Sequence, residues 1–257
     1  TLPSVLENAG AKDTDMIIAV TRNDEINMIV CQIASSLFNI SKKIARIRSQ
    51  EFLEGKWSRL YSKSNIPIDV IISPEREVAK SLFRKLEAPG ALDNVPFVKD
   101  KVKLLEILIE KKCPIANIPL NDLTKKYPEF KAYIFGAERK DKFVFFKKND
   151  QMKVGDKVYL VVSTDQINKL LSVFGHDEKI AKKILIIGGG NVGLHLAKLL
   201  ETSEGLRTKI IEKDKIRAEQ IASELSSSIV ICGDPLDEKI LKEANIEEVE
   251  TVFALTE

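Results

Sequence analysis

The stretch Lys183-Ile184-Leu185-Ile186-Ile187-Gly188-Gly189-Gly190-Asn191-Val192-Gly193-Leu194-His195-Leu196-Ala197-Lys198-Leu199-Leu200 decides the fold. Its first five residues form a short apolar run of strand type, and the leucines after Gly193 recur at helical spacing. A G-x-G-x-x-G pattern alone is a weak signal, but here a strand precedes it and a helix follows. Gly188 permits the tight turn, Gly190 lets the backbone approach a pyrophosphate, and Gly193 lets the helix lie close to the strand. The helix start adds unpaired N–H groups and partial positive charge for phosphates. The pattern also asks for an acid about 20 residues on, at the end of the next strand, to accept hydrogen bonds from a ribose. Glu212 stands there, after Lys209-Ile210-Ile211. An acid favours the free ribose of NAD over a 2′-phosphate, and Lys213 beside it works the other way. The competing reading is a glycine-rich turn kept for packing alone.

Outward from this turn, strand and helix alternate: strands over 183–187, 208–212, 228–231 and 250–255, helices over 191–202, 214–224 and 237–244. The same alternation opens the chain, with β-branched runs at 16–20, 44–48 and 68–72 followed by helical spacing over 23–38, 50–61 and 75–87. Such βα alternation predicts a parallel sheet covered by helices. In the helix over 23–38, Ile26, Ile29, Val30, Ile33, Ala34 and Leu37 share one face, which is expected to pack on the sheet. Ala88-Pro89-Gly90 stops the third helix. From 91 to 176 the texture changes to short strands at 102–108, 131–135, 142–147 and 156–162 and a helix from Asp165 to Val173. Glu138 to Asp141 signals a hairpin between Ala132–Phe135 and Phe143–Phe146, whose phenylalanine stripe is expected to be core. The fold expected is therefore α/β: two partial Rossmann-like parallel sheets, over 1–90 and 180–257, flanking a small α+β unit over 91–176.

The two ends also repeat. A register of 235 residues sets Leu6 against Leu241, Ala9 against Ala244, Ala19 against Ala254 and Thr21 against Thr256, with Ile17 opposite Val252 and Asp15 opposite Glu250. This reads as an internal duplication. Thr1 then answers to Leu236, so the first copy is expected to be its back half, without its own glycine turn, and the second its front half, cut after Thr256. The chain begins at Thr1 with no signal-peptide pattern, which suggests a piece of a longer protein. Because the half-sheets derive from one parent, they are expected to pack together.

Composition narrows the class. Hydrophobic residues at 44% and charged ones at 30% are those of a globular chain. Forty Lys and Arg against 38 Asp and Glu leave a net charge of +2, too little for binding carried by phosphate-backbone contacts, so no nucleic-acid partner is expected. Cys31, Cys113 and Cys232 are scattered and odd in number, which favours a reducing compartment. No apolar run nears the roughly 20 residues needed to cross a bilayer.

Further candidates gather at strand ends. Asp234 closes Val230-Ile231-Cys232-Gly233 at the same sheet edge as Glu212, and is either an adenosine-side acceptor or a turn residue. Thr21 and Thr256 each end a fourth strand, in the crevice where such sheets bind ligands. Asn23 and Asp24 read as a helix N-cap. Arg46 and Arg48 share a strand face, where one meets a phosphate or both form surface ion pairs. His195 reads as a packing or surface residue, His176 lies in the linker 176–179, and no metal site of His or Cys is expected.

The strings IIGGGNVGLHLAKLL, CGD, AVTRNDEINMIVCQIASSLFN, ARIRS and GDKVYLVVSTDQINKLLSVF resemble the TrkA family of Trk-system potassium-uptake proteins. That family has tandem RCK (KTN) nucleotide-binding domains, each followed by a small RCK C-terminal domain. The resemblance implies NAD or NADH as ligand, with ATP or ADP as alternatives. It implies assembly into a homo-oligomeric ring, a membrane potassium transporter as partner, and a cytoplasmic place on the inner face of the plasma membrane. It implies nucleotide contacts by Gly188, Gly189, Gly190, Asn191, Val192 and Glu212, by Thr256 and Glu257, and by Thr21, Arg22 and Arg46. Two rivals share the motif: an NAD-dependent oxidoreductase, for which no acid or base with an orienting partner stands out in 91–176, and the soluble gating ring of a potassium channel.

Overall fold

The computed structural model describes residues 2–49, 51–53, 55–62, 64–128 and 131–256. Its elements run α1 (Pro3–Asn8), β1 (Met16–Ala19), α2 (Asp24–Phe38), β2 (Lys42–Arg46), β3 (Val70–Ile72), α3 (Pro74–Glu87), β4 (Ala91–Phe97), β5 (Val102–Leu108) and α4 (Leu120–Lys126). They continue with β6 (Ala132–Arg139), β7 (Lys142–Phe145), β8 (Lys157–Ser163), α5 (Ile167–Val173), β9 (Lys183–Ile187), α6 (Asn191–Glu201), β10 (Arg207–Glu212), α7 (Lys215–Glu224), β11 (Ile229–Cys232), α8 (Glu238–Glu243) and β12 (Thr251–Ala254). Among the described residues these strands form three sheets, in the orders β1-β2-β3, β11-β10-β9-β12 and β4-β5-β8-β6-β7. The first two are parallel and the third antiparallel.

The 235-residue register holds element by element. α1 answers to α8, the 3₁₀ turn Ala11–Asp13 to Ile246–Glu248, and β1 to β12. Gly10 and Asn245, which precede those turns, both take left-handed backbone, at φ 89° and 55°. Such φ values are open to glycine and tolerated by asparagine, so the two copies keep one turn with different residues. The half-sheets stay separate as sheets. They meet through helices: Ala79, Leu82, Phe83 and Leu86 of α3 share a core with Leu196, Ala197 and Leu200 of α6. Each fully buried leucine there contributes about 1.5–3 kcal/mol. Lys103 of β5, 2% exposed, ties the end of α3 to the antiparallel sheet by pairing with Glu87 at 2.9 Å and Asp100 at 3.4 Å.

Four expectations are corrected. Among the described residues of the helix expected over 50–61 the chain runs as 3₁₀ turns, Glu51–Leu53 and Gly55–Tyr61; Gly55 disfavours an α-helix there by its entropic cost. On α2 the buried face carries Asn27, Met28 and Cys31 together with Val30 and Ala34 of the expected stripe, while Ile29 and Leu37 of that stripe are 51% and 59% exposed. Periodicity finds an apolar stripe but not which of two adjacent faces meets the sheet, and Asn27 joins the buried face because its amide is fully hydrogen-bonded to strand ends. The antiparallel unit holds two further elements, β4 and α4. Its phenylalanine stripe lies mostly outside the core: Phe143 packs on Phe135, Phe145 and Tyr159, and Phe145 is 75% exposed. Helices α4 and α5 cover one face of that sheet, through Leu123, Ile167, Leu170 and Leu171, and strand alternation turns these rings to the other.

Two glycines of the motif are packing glycines. A Cβ on Gly193 would drive into the Gly188 carbonyl, and one on Gly188, at φ 108°, would sit 2.9 Å from the Leu255 carbonyl carbon. A Cβ on Gly190 would meet nothing within 4 Å. Thermal denaturation of single alanine variants is therefore expected to show Gly193→Ala destabilised by about 1–3 kcal/mol or more and Gly190→Ala unchanged to within about 0.5 kcal/mol.

A second prediction concerns Asp156, 1% exposed, whose carboxylate accepts Nε and Nη2 of Arg139 at 2.7 and 2.6 Å and the Lys153 N–H at 2.8 Å. Burial pushes the carboxyl up, but the Arg139 fork and the Lys153 N–H outweigh it and hold its pKa below the usual value. A depressed native pKa contributes stability above the unfolded value of about 3.9, lost as the pH falls through the native one. Melting followed from pH 7 down to 3 is expected to show this loss, and Arg139→Ala to cost about 3–5 kcal/mol at pH 7.

Candidate functional site

The second parallel sheet places its motif residues at the carboxyl ends of β9, β10 and β12. Gly188 N–H donates to the Ile211 carbonyl at 2.9 Å, Leu255 N–H to Ile187 at 2.8 Å, and Gly233 N–H to Glu212 at 2.9 Å, so three strands and the turn share one edge. Gly190, extended at φ −61° and ψ −174°, is the N-cap of α6 and offers no side-chain cap. The first N–H groups of α6 have no intrahelical acceptor, and Gly190 and Asn191 are exposed beside them. An anion laid on this turn meets open backbone donors at the positive end of an eleven-residue helix.

Glu212 is already held. Its Oε2 accepts the Gly189 N–H at 2.7 Å and its Oε1 the Asp214 N–H at 2.8 Å. Each carboxylate oxygen keeps a lone pair for a further donor, as a ribose diol requires. Asp214 caps α7 by accepting the Arg217 N–H at 2.7 Å. From that first turn Arg217 reaches back over the glycines, with Nε donating to the Gly189 carbonyl at 2.8 Å and Nη2 to Asn191 Oδ1 at 3.3 Å. Sequence reasoning missed Arg217; the usable signal was its place three residues into the capped helix that follows the acid.

The other candidates take varied places. Asp234 pairs with Lys213 at 2.7 Å and accepts the Leu236 N–H at 3.0 Å, contacts of the turn that follows β11. Lys213 thus turns from Glu212 toward Asp234 and holds that carboxyl below its ordinary range. Thr256 is exposed at the end of β12, its N–H beside Gly188. Glu257 lies outside the described residues. Val192 packs partly on the shared core. His195, half-buried on α6, is pushed down to about 4 by burial, then by Arg76 and Lys198, and is neutral near pH 7.

Thr21, Arg22 and Arg46 lie on the first sheet, apart from the glycine turn. Thr21 N–H and Oγ1 donate to Asn27 Oδ1 at 2.8 and 2.7 Å, and Arg46 Nη2 donates to the Thr21 carbonyl at 2.6 Å. Arg22 is exposed in the loop between β1 and α2. Asn23 caps α2 through the Ile26 N–H, whereas Asp24 accepts the N–H groups of Arg48 and Ser49, both at 2.8 Å. Arg48 takes the ion-pair reading, with Glu75 at 2.8 Å. Arg46 Nε and Asp24 Oδ1 are buried with no hydrogen-bond partner, so this strand edge carries polar groups that its own side chains do not satisfy.

Comparison with known proteins places this geometry. The TrkA-N domain family model matches residues 1–74 and again 184–257, and the TrkA-C domain model matches 104–175. The chain is 44% identical over 255 residues to the Trk system potassium uptake protein TrkA of Azorhizobium caulinodans, covering 99% of this chain and 56% of that protein. Against the TrkA of Vibrio alginolyticus it is 37% identical over 254 residues, covering 99% and 55%. It thus spans about half the length of the curated relatives it matches. Among solved structures, the GsuK channel bound to NAD superposes with a TM-score of 0.62 at 16% identity, over 99% of this chain and 43% of that one. The GsuK RCK domain superposes with a TM-score of 0.58 at 17% identity, over 98% and 51%. At such identities the likeness is one of fold. With both TrkA-N matches on parallel sheets and the TrkA-C match on the antiparallel sheet between them, the chain belongs to the TrkA family.

Proposed function

We propose that this chain is the nucleotide-sensing part of a regulatory subunit that controls a membrane potassium-uptake transporter, with NAD or NADH as its ligand. The observation that carries the reading is the Gly188–Gly193 turn with Glu212 fastened to Gly189 at 2.7 Å, a ready anion cradle beside a ribose acceptor. The relatives' name supports the transport role, and the NAD in the GsuK structure supports the ligand. ATP and ADP share the adenosine and pyrophosphate that the turn would hold. Residues 1–90 and 180–257 form the back and front parts of two nucleotide-binding domains and 91–176 the small domain between them. Thr21, Arg22 and Arg46 belong to the first site, Gly188 to Gly193, Glu212, Asp234, Thr256 and Glu257 to the second.

Assembly into a ring and docking on the inner membrane face belong to the same proposal. No helix among the described residues is long and apolar enough to cross a membrane. The exposed stripe of Ile26, Ile29 and Leu37 on α2, and the open aromatic face with Phe143, Phe145 and Tyr133, support association with further protein surface. A gating ring of a channel is the second reading, favoured by the GsuK superposition over 99% of this chain. The relatives carry the name of a potassium-uptake protein and not of an enzyme, which favours sensing over catalysis.

The intact protein is expected to melt several degrees higher with NAD or NADH at a hundred times Kd, a gain of about 2.7 kcal/mol. Glu212→Arg is expected to move the preference from NAD toward NADP, since it replaces the ribose acceptor by a phosphate partner. Equal shifts for both nucleotides in wild type and variant would remove Glu212 from the site. Steady NADH oxidation with a small carbonyl compound, above a Gly190-disrupted control, would revive the dehydrogenase.

A further inference from the structure

We infer that Arg217 is the positioning residue of the nucleotide site: it sets the direction of the Gly189–Gly190 peptide and so aims the Gly190 N–H at the ligand phosphates. The inference rests on the reading that the glycine turn holds a nucleotide. Three contacts carry it. Glu212 Oε2 holds the Gly189 N–H at 2.7 Å, Arg217 Nε holds the Gly189 carbonyl at 2.8 Å, and Arg217 Nη2 reaches Asn191 Oδ1 at 3.3 Å. Gly189 is therefore fixed at both of its polar atoms, by side chains from β10 and α7.

The consequence follows from peptide geometry. No described peptide bond is cis, so the Gly189 carbonyl and the Gly190 N–H point in opposite directions within one plane. By drawing the carbonyl toward α7, Arg217 turns the N–H the other way, away from α7, at a residue that is exposed and whose Cα has open space beside it. Glycine has no side chain to resist rotation of this peptide, and loss of the arginine removes the hold on its carbonyl. A lysine does not substitute. One ammonium on a flexible stem does not reproduce the planar fork that spans a carbonyl and an amide oxygen on adjacent sides.

Arg217 also leaves the fold lightly loaded. It is half-buried, its third contact is an exposed one with Gln220 at 2.9 Å, and the α7 cap is made by its backbone N–H, which alanine and lysine keep. Its loss should therefore reach binding before stability.

Calorimetric titration of the intact protein with NADH and, separately, ADP tests this. Arg217→Ala and Arg217→Lys are each expected to weaken both ligands about tenfold, the scale of one charge-assisted hydrogen-bonding group, while the unliganded melting temperature stays within about 2 °C of wild type and Gln220→Ala binds as wild type. Wild-type affinity in Arg217→Ala overturns the inference. Should Arg217→Ala also melt early, Arg217→Lys decides, because it keeps the stem and the charge: weakened binding on an unchanged fold supports the role, and wild-type affinity shows that only packing was lost. A wild-type protein that binds neither NADH nor ADP counts against the nucleotide reading itself, a result separate from any behaviour of Arg217.

Discussion

The contact on which the rest of the molecule depends is the seating of the first turn of α6 against the end of β9, where Gly193 lies so close to the Gly188 carbonyl that no side chain fits between them. That approach fixes three things together. It ends β9 at Ile187, it requires left-handed backbone at Gly188, and it points the free N–H groups of α6 across the carboxyl edge of the sheet. The same helix then presents Leu196, Ala197 and Leu200 to α3, which comes from the first parallel sheet. One helix thus bears the candidate phosphate cradle at its start and the joint between the two sheets along its side.

Polar groups hold the remaining parts in register. Lys103 fastens the end of α3 to β5, Arg139 and Asp156 close the antiparallel unit, and Lys43 of β2 reaches Asp69 at 3.1 Å together with the carbonyls of Ile40 and Ser41. Each is a buried charge whose partner is indispensable, so these pairs specify arrangement more than they add stability. Glu201 does the same for the loop after α7. Its carboxylate is drawn down to about 2 because, although burial raises it, it accepts the N–H groups of Ser226, Ser227 and Ser228 and the Ser228 hydroxyl.

Much of this was legible in the residues, for physical reasons. The strand over 183–187 and the helix from 191 follow from an apolar run broken by three glycines, and the 235-residue register predicted β12 from β1 because a duplicated chain keeps its turns. What stayed hidden depended on the partner of a face or the reach of a side chain. The stripe of Ile26, Ile29 and Leu37 has core periodicity yet is exposed, since hydrophobic spacing does not say what covers it. The alternation of Phe143 and Phe145 put both on the uncovered side of a sheet. Asp234 and Arg217 are both polar residues near the turn, and only the fold shows that the first pairs with Lys213 while the second grips Gly189.

The central claim is that the turn over 188–193, steadied by Glu212, is where this chain reads a dinucleotide. Backbone hydrogen exchange of the intact protein with and without NADH tests it most directly. The account predicts slower exchange in peptides covering 188–193 and 207–217 on NADH addition, with exchange in β5 and β8 of the antiparallel sheet unaltered. Protection that spares the glycine turn and falls elsewhere would contradict it.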